Sequence, residues 1–324
     1  MGLIISKIFS VLVIIGIGYF ANKINVLPSE LEPHLNRLLF DIIIPGMLFT
    51  TITTREIDPE LYHMTFITVL FTLVFIAFFA IVGALLVKIL YRNDHSIEPG
   101  VHTVCFASFN TALIGFPIVN SLFGADALFL LVLINLVYTI YTFVLMPIIM
   151  NVGLPKDPQA QNMSFGQKVF KAIKPILTIA PICVFIATAM LFMGLRFPAP
   201  IEECFSYIGS ASTVISMLIV GIQLGRSNIR EVFKKYKETL FFSIRVVVMP
   251  VICFLIITHL PLPAMVKIAF IFTASLPTGV TPAPLASANG HDPSPAAEGI
   301  VITCIISMLA MTVTAMALTG YFNL

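Results

Sequence analysis

Two stretches decide how this chain reads: Ala107-Ser108-Phe109-Asn110-Thr111-Ala112-Leu113-Ile114-Gly115-Phe116-Pro117 and Ala274-Ser275-Leu276-Pro277-Thr278-Gly279-Val280-Thr281-Pro282-Ala283-Pro284. At a constant offset they share the Ala-Ser pair, the Thr and the final Pro. Each interrupts a long apolar run. Proline removes a backbone donor and clashes with the preceding turn, and glycine weakens a helix. A single proline kink is ordinary in a membrane helix. Two at matching places, each with Thr and Gly beside it, predict a pair of broken helices.

The runs around these stretches are membrane spans. Hydrophobic residues make up 58% of the 324 and charged residues 10%, with a mean hydropathy of +1.02. A soluble domain carries roughly 25% charge, so lipid is the solvent this chain is built for. Runs of about 20 apolar residues fall at Leu3–Ala21, Leu38–Thr53, Met64–Leu90, Val101–Gly124 and Ala127–Met150. A second set falls at Pro175–Leu195, Tyr207–Leu224, Leu240–His259, Met265–Asn289 and Ala296–Gly320. The first run lacks a small-residue cleavage site and reads as a span, not a signal peptide.

The expected fold class is therefore an all-α membrane protein of ten helices. Residues 1–150 form one five-helix repeat, 151–174 a linker, and 175–324 a second repeat, inverted because five is odd. Helices four and nine are the broken, crossing pair. Most of the eighteen basic residues fall on the linker's side, including Lys23, Arg37, Lys88, Arg92, Lys156, Lys168, Lys171, Lys174, Arg226, Arg230 and Lys234. The linker is placed in the cytoplasm and both termini outside.

Unwound backbone in hydrocarbon must be buried in protein or line a wet cavity. Half-helix N-termini offer free N–H groups and partial positive charge, which suits a carboxylate. Asn110 and Thr111 are candidate substrate contacts that also suit capping. Thr278 and Thr281 are further candidates. Gly115, Gly279, Pro117 and Pro282 are shape-makers, and Ile114, Val280 and Ile44 complete the candidate set.

Arg245, inside the eighth span, costs at least ~2.5 kcal/mol there unless paired or wet. It either draws the anion or holds carbonyl ends at the ninth-helix break. Asp41 pairs near Asn36-Arg37 or binds a proton. Asp126, His291, Asp292 and Glu298 sit at span ends and are solvated by default, with His291 or Glu298 as possible proton shuttles. Gln223 and Asn135 read as interhelical hydrogen-bonding groups, and Gly16 and Gly18 as close-packing positions. Asn162-Met163-Ser164 matches a glycosylation sequon on the wrong side of the membrane. The scattered Cys and His residues give no metal or disulfide spacing, and nothing suggests a cofactor, a nucleic acid partner or ATP drive.

Asn110-Thr111 followed by Gly115-Phe116-Pro117 and Gly124 resembles the fourth-helix motif of the auxin efflux carrier family. The stretch from Ala274 to Pro282 resembles its ninth helix, Asn36-Arg37 with Pro45 its second, and Arg245 with Pro250 its eighth. The short central linker is similar to bacterial members described as malate or malonate permeases, which live in the inner membrane. The resemblance implies the fold of the bile acid–sodium symporters. In it, spans one, two, six and seven form a scaffold, and spans three to five and eight to ten a transport core.

It also implies a substrate beside the crossing, an elevator-like core movement and a homodimer through the scaffold. Plant members place asparagines around a proline where this chain has Lys174-Pro175-Ile176-Leu177, which disfavours an indole acid. Sodium-coupled relatives carry a glutamate in the ninth-helix break, which is missing here. The function expected is carriage of a small carboxylate by alternating access. The alternatives are an anion channel on the same crossover or an auxin-like aromatic carboxylate carrier. An intramembrane enzyme would need a catalytic pair at one depth, and the sequence offers none.

Overall fold

Prolines set the shape of the helices. In the computed structural model, which describes residues 2–55, 59–92, 94, 97–152 and 179–323, four stretches of helix carry a π-turn that ends two residues before a proline. The turns are Leu39–Ile43 before Pro45, Thr111–Gly115 before Pro117, Tyr141–Leu145 before Pro147, and Ile244–Val248 before Pro250. The ring crowds the carbonyl four residues back and supplies no N–H, so the preceding turn widens by one residue.

The helices are α1 (Gly2–Lys23), α2 (Ser29–Thr53), α3 (Pro59–Leu90), α4 (Pro99–Phe106), α5 (111–123), α6 (125–150) and α7 (Ile179–Phe192). After them come α8 (Ala199–Arg226), α9 (Ile229–Lys234), α10 (Tyr236–Ile257), α11 (Ala264–Ser275), α12 (Pro282–Ala288) and α13 (Ser294–Phe322). Gly124, at φ 81° and ψ −172°, turns α5 into α6. Only glycine takes that conformation without strain. Among the described residues there is no strand. Seven segments are long and apolar enough to cross a membrane, and Pro181–Phe192 and Ala264–Ser275 are shorter apolar helices. Phe9, Phe20, Phe66, Leu70, Ile81, Leu255 and Leu309 point outward. A surface this apolar is a lipid surface, and the chain is a multi-pass membrane protein.

The helices begin and end a few residues away from the apolar runs. α2 starts at Ser29 and α8 at Ala199, each about two turns earlier than hydropathy alone suggests, because the helices continue through more polar turns outside the apolar runs. The 151–174 linker, the sequon at Asn162 and Lys174-Pro175 lie outside the described residues.

Packing divides the helices. α1 lies along α8 through glycine: a Cβ on Gly18 would sit 2.7 Å from the Leu218 carbonyl, and one on Gly221 would sit 2.7 Å from the Gly18 Cα. Gly16, expected to pack closely, has nothing within 4 Å. α7 and α8 pack on α2, where Phe49 stacks on Phe205 at 5.2 Å. Phe75, Phe79, Phe106, Phe109, Phe241 and Phe270 form a ring-to-ring column among α3, α4, α10 and α11.

Gly221→Val should therefore wedge α1 from α8, because the obstructing atoms are backbone and cannot move aside. A fall of several degrees in thermal midpoint in detergent is expected, while Gly16→Val should leave the midpoint unchanged.

Candidate functional site

Helical geometry stops at Phe106 and resumes at Thr111; it stops again at Ser275 and resumes at Pro282. The two irregular segments meet. The Asn110 amide donates to the Pro277 carbonyl at 2.9 Å, and the Gly279 amide donates to Ser108 Oγ at 3.2 Å. Neighbouring helices supply further partners: the Thr278 amide donates to Thr303 Oγ1 at 3.0 Å and the Phe109 amide to the Tyr138 hydroxyl at 3.3 Å. Gly279 is small by necessity, since a Cβ there would stand 3.1 Å from the Tyr138 hydroxyl and 3.2 Å from the Phe109 carbonyl.

The carbonyl ends converge on Arg245, which is fully buried on α10. Its guanidinium donates to the carbonyls of Phe106 at 3.2 Å, Ser108 at 2.8 Å and Ala274 at 2.9 Å. The rings of Phe79 and Phe109 flank it at 5.3 and 4.6 Å. Among the described residues it has no carboxylate partner. One planar cation thus gathers helix ends from both segments, a task that suits the fixed fork of arginine.

A cavity of about 220 Å³ lies beside this meeting point. α2 contributes Phe40, Ile44 and Leu48; α5 contributes Ala112 and Phe116; α7 contributes Pro181 and Val184. α6 presents Asn135, Tyr138, Thr139 and Thr142, and Thr281 completes the lining. The wall is polar along α6 and apolar opposite, and no charged side chain is among the described residues that line it. Of the residues expected from sequence, Ile44 and Thr281 line the cavity.

Asn110 and Thr111 stand just behind it, both buried. Thr111 Oγ1 donates to Asn135 Oδ1 at 2.5 Å, and Asn110 Nδ2 is buried without a hydrogen-bond partner. Ile114, Gly115, Pro117, Thr278, Gly279 and Pro282 are buried in the surrounding packing. Val280 opens instead onto a second cavity of about 670 Å³, with Asn36, Gln223, Arg226 and Glu298. Phe40 borders both spaces. A third space, about 700 Å³, lies toward the other face, lined by Met47, Thr50, Thr51, Asn120, Glu202 and Glu203.

Asn135 makes the interhelical hydrogen bond its sequence suggests and lines the cavity as well, beside Tyr138, Thr139, Thr142 and Phe40, which the sequence reading does not single out. The signal was present: 135, 138, 139 and 142 recur at helical spacing, a polar stripe on one face of an apolar span.

The titratable candidates lie elsewhere. Asp41 is partly exposed and 3.9 Å from Arg37. His291 Nδ1 meets Glu98 Oε2 at 2.9 Å. Glu298 accepts from Lys235 at 2.6 Å, a hydrogen bond that raises the Lys235 ammonium above its ordinary range. Beside them the buried His102 and Glu238 pair at 2.9 Å. Asp126 is exposed, as its place at a span end suggests, and also pairs with Arg55 at 2.7 Å.

A family model described as membrane transport protein matches residues 3–315. The chain belongs to that family, the auxin efflux carriers. It is 22% identical over 306 residues to an uncharacterized transporter of Methanocaldococcus jannaschii, covering 93% of this chain and 94% of that one. To an uncharacterized transporter of Methanothermobacter thermautotrophicus it is 21% identical over 320 residues, covering 97% and 98%. To the uncharacterized transporter YfdV of Escherichia coli it is 21% identical over 225 residues, 68% of each chain. The protein is a membrane transporter, not an enzyme.

Proposed function

We propose that this transporter is a secondary carrier of small organic carboxylates, malate or malonate first, working by alternating access. The observation that carries the reading is the cavity itself. Its wall is uncharged among the described residues, so it suits a ligand bound by dipoles. The first turn of α5 borders it at Ala112, with the unpaired helix N–H groups that favour an anion. Most of these donors come from α5, because Pro282 and Pro284 deprive α12 of two. Asn110 and Thr111 orient the carboxylate in this reading, directly or through Asn135.

The architecture proposed with it is ten spans in two inverted repeats, in an inner membrane, with both termini outside. Support comes from Pro99–Met150, whose 52 residues are more than twice one crossing, and from the two shorter apolar helices. Helices α1, α2, α7 and α8 act as scaffold, and α3–α6 with α10–α13 as a core that slides as an elevator. Two copies would pair through the scaffold. Phe40, Phe116 and Phe143 around the cavity favour a second reading of the cargo, an aromatic carboxylate.

Reconstituted protein is expected to exchange labelled malate or malonate across liposomes with saturation and counterflow. Unitary currents would mean a channel instead. Asn110→Ala should weaken apparent affinity about tenfold, the loss of one hydrogen bond to a charged group. Unchanged affinity would remove Asn110 from the site.

A further inference from the structure

Arg55 follows the outer end of α2, and Asp126 stands just past the Gly124 turn. The Arg55 guanidinium donates to Asp126 Oδ1 at 2.7 Å and to the Ala125 carbonyl at 2.9 Å. It lies 4.4 Å from the centre of the Phe129 ring, which fixes its plane. Near the same end, Lys7 of α1 donates to the Ser121 carbonyl of α5.

These contacts share a property. Among the described residues, Arg55–Asp126 is the ion pair that joins the α1, α2, α7, α8 group to the rest of the bundle. Glu32–Arg226 and Arg37–Asp41 stay within the first group. His102–Glu238, Lys235–Glu298, Lys237–Asp94 and Glu98–His291 stay with the second. The side-chain hydrogen bonds between the groups, again among the described residues, are those of Lys7 and Arg55. A space lies between the groups at each end: about 700 Å³ near Arg55, between Thr50, Thr51 and Thr54 and the pair Asn120 and Ala125, and about 670 Å³ at the opposite end, with Glu32, Asn36 and Gln223 facing Val280, Ala283 and Glu298. Phe40 lines both the inner space and the central cavity, while the described residues lining the space near Arg55 include none that line the central cavity.

We infer that Arg55 and Asp126 are the latch of the outer gate: they are joined while the central cavity is reached from inside, and must part before it opens outward. The inference rests on the scaffold-and-core reading above. The chemistry of the pair fits a latch. The Asp126 side chain is 69% exposed and the Arg55 side chain 13%, so water reaches the pair from the Asp126 side and it parts more easily than a fully buried pair would. Phe129 holds the Arg55 plane ready for re-closure, and a sliding core would carry Asp126 away from a stationary Arg55.

Two measurements test it. In Arg55→Cys/Asp126→Cys, a short bifunctional thiol reagent should cut malate or malonate exchange in liposomes at least about tenfold, with wild type treated alongside as control. Cross-linked protein that exchanges as fast as the untreated variant overturns the latch. The second measurement needs no substrate: a membrane-impermeant maleimide is added outside intact cells expressing Ala112→Cys, and labelling at position 112 is read by peptide mass spectrometry. Adding Arg55→Gln should speed labelling about two- to fivefold, the range of a screened ion pair. An equal rate with and without Arg55 overturns the latch. Absence of malate and malonate exchange in wild type counts against the cargo alone, because the labelling rates still decide the gate.

Discussion

Arg245→Met is expected to prevent recovery of a folded, monodisperse protein, or to lower its thermal midpoint by about 10 °C or more. Methionine matches much of the volume and removes the charge, so the insertion penalty of a membrane cation disappears. That gain is outweighed. The carbonyls of Phe106, Ser108 and Ala274 each accept from this one guanidinium, and all three residues are fully buried. Each unpaired buried acceptor costs about 1–3 kcal/mol, against a total stability of about 5–15 kcal/mol for an ordinary domain. The flanking faces of Phe79 and Phe109 lose their cation as well. Arg245→Lys should fall between, since an ammonium keeps the charge but cannot span three carbonyls with a planar fork. Thermal unfolding in detergent, followed by size-exclusion chromatography, orders the three proteins. If Arg245→Met matches wild type, Arg245 is not what secures the helix ends.

The sequence displayed some of this and hid the rest for identifiable reasons. Prolines are local signals: Pro277 and Pro282 mark where α11 has ended and α12 starts, and the π-turns precede Pro45, Pro117, Pro147 and Pro250. Arg245 was conspicuous as a charge in an apolar run, but sequence left two roles open. The geometry gives it carbonyl partners from both irregular segments, far apart in the chain. Pairings across the fold leave no local trace. Asp126 is solvated as the sequence suggests, but its ion pair shows only when Arg55 is placed beside it, and Glu98, His102 and Glu238 are unremarkable until α4, α10 and the turn after α12 converge. Gly16 and Gly18 are alike in sequence, and only helix facing tells that Gly18 meets α8 while Gly16 meets nothing. The polar stripe from Asn135 to Thr142 was overlooked because each residue alone has a plain explanation, for Thr139 and Thr142 a hydrogen bond to their own helix.

That stripe supplies the second large effect. Thr139→Asp should lower the apparent affinity for a carboxylate about a hundredfold while leaving the protein folded. Thr139 is only partly buried and lines the cavity, so the new carboxylate keeps contact with water and the bundle packing is untouched. Two unit charges about 6 Å apart repel by roughly 3 kcal/mol at an effective dielectric of 20, which is about a factor of a hundred in binding. The variant carries its own control. Acid protonates the aspartate and removes the repulsion, so affinity should recover as the pH falls through its pKa, provided the cargo acid stays ionised. Wild type, with no carboxylate among the described residues of that wall, should show no such recovery. Thr139→Asn, uncharged and similar in size, should bind within a few-fold of wild type. Competition by malate, malonate and an aromatic acid against pH, on purified protein in detergent, separates these cases. If Thr139→Asp binds the transported anion as tightly as wild type, the anion does not reside in the cavity beside α6.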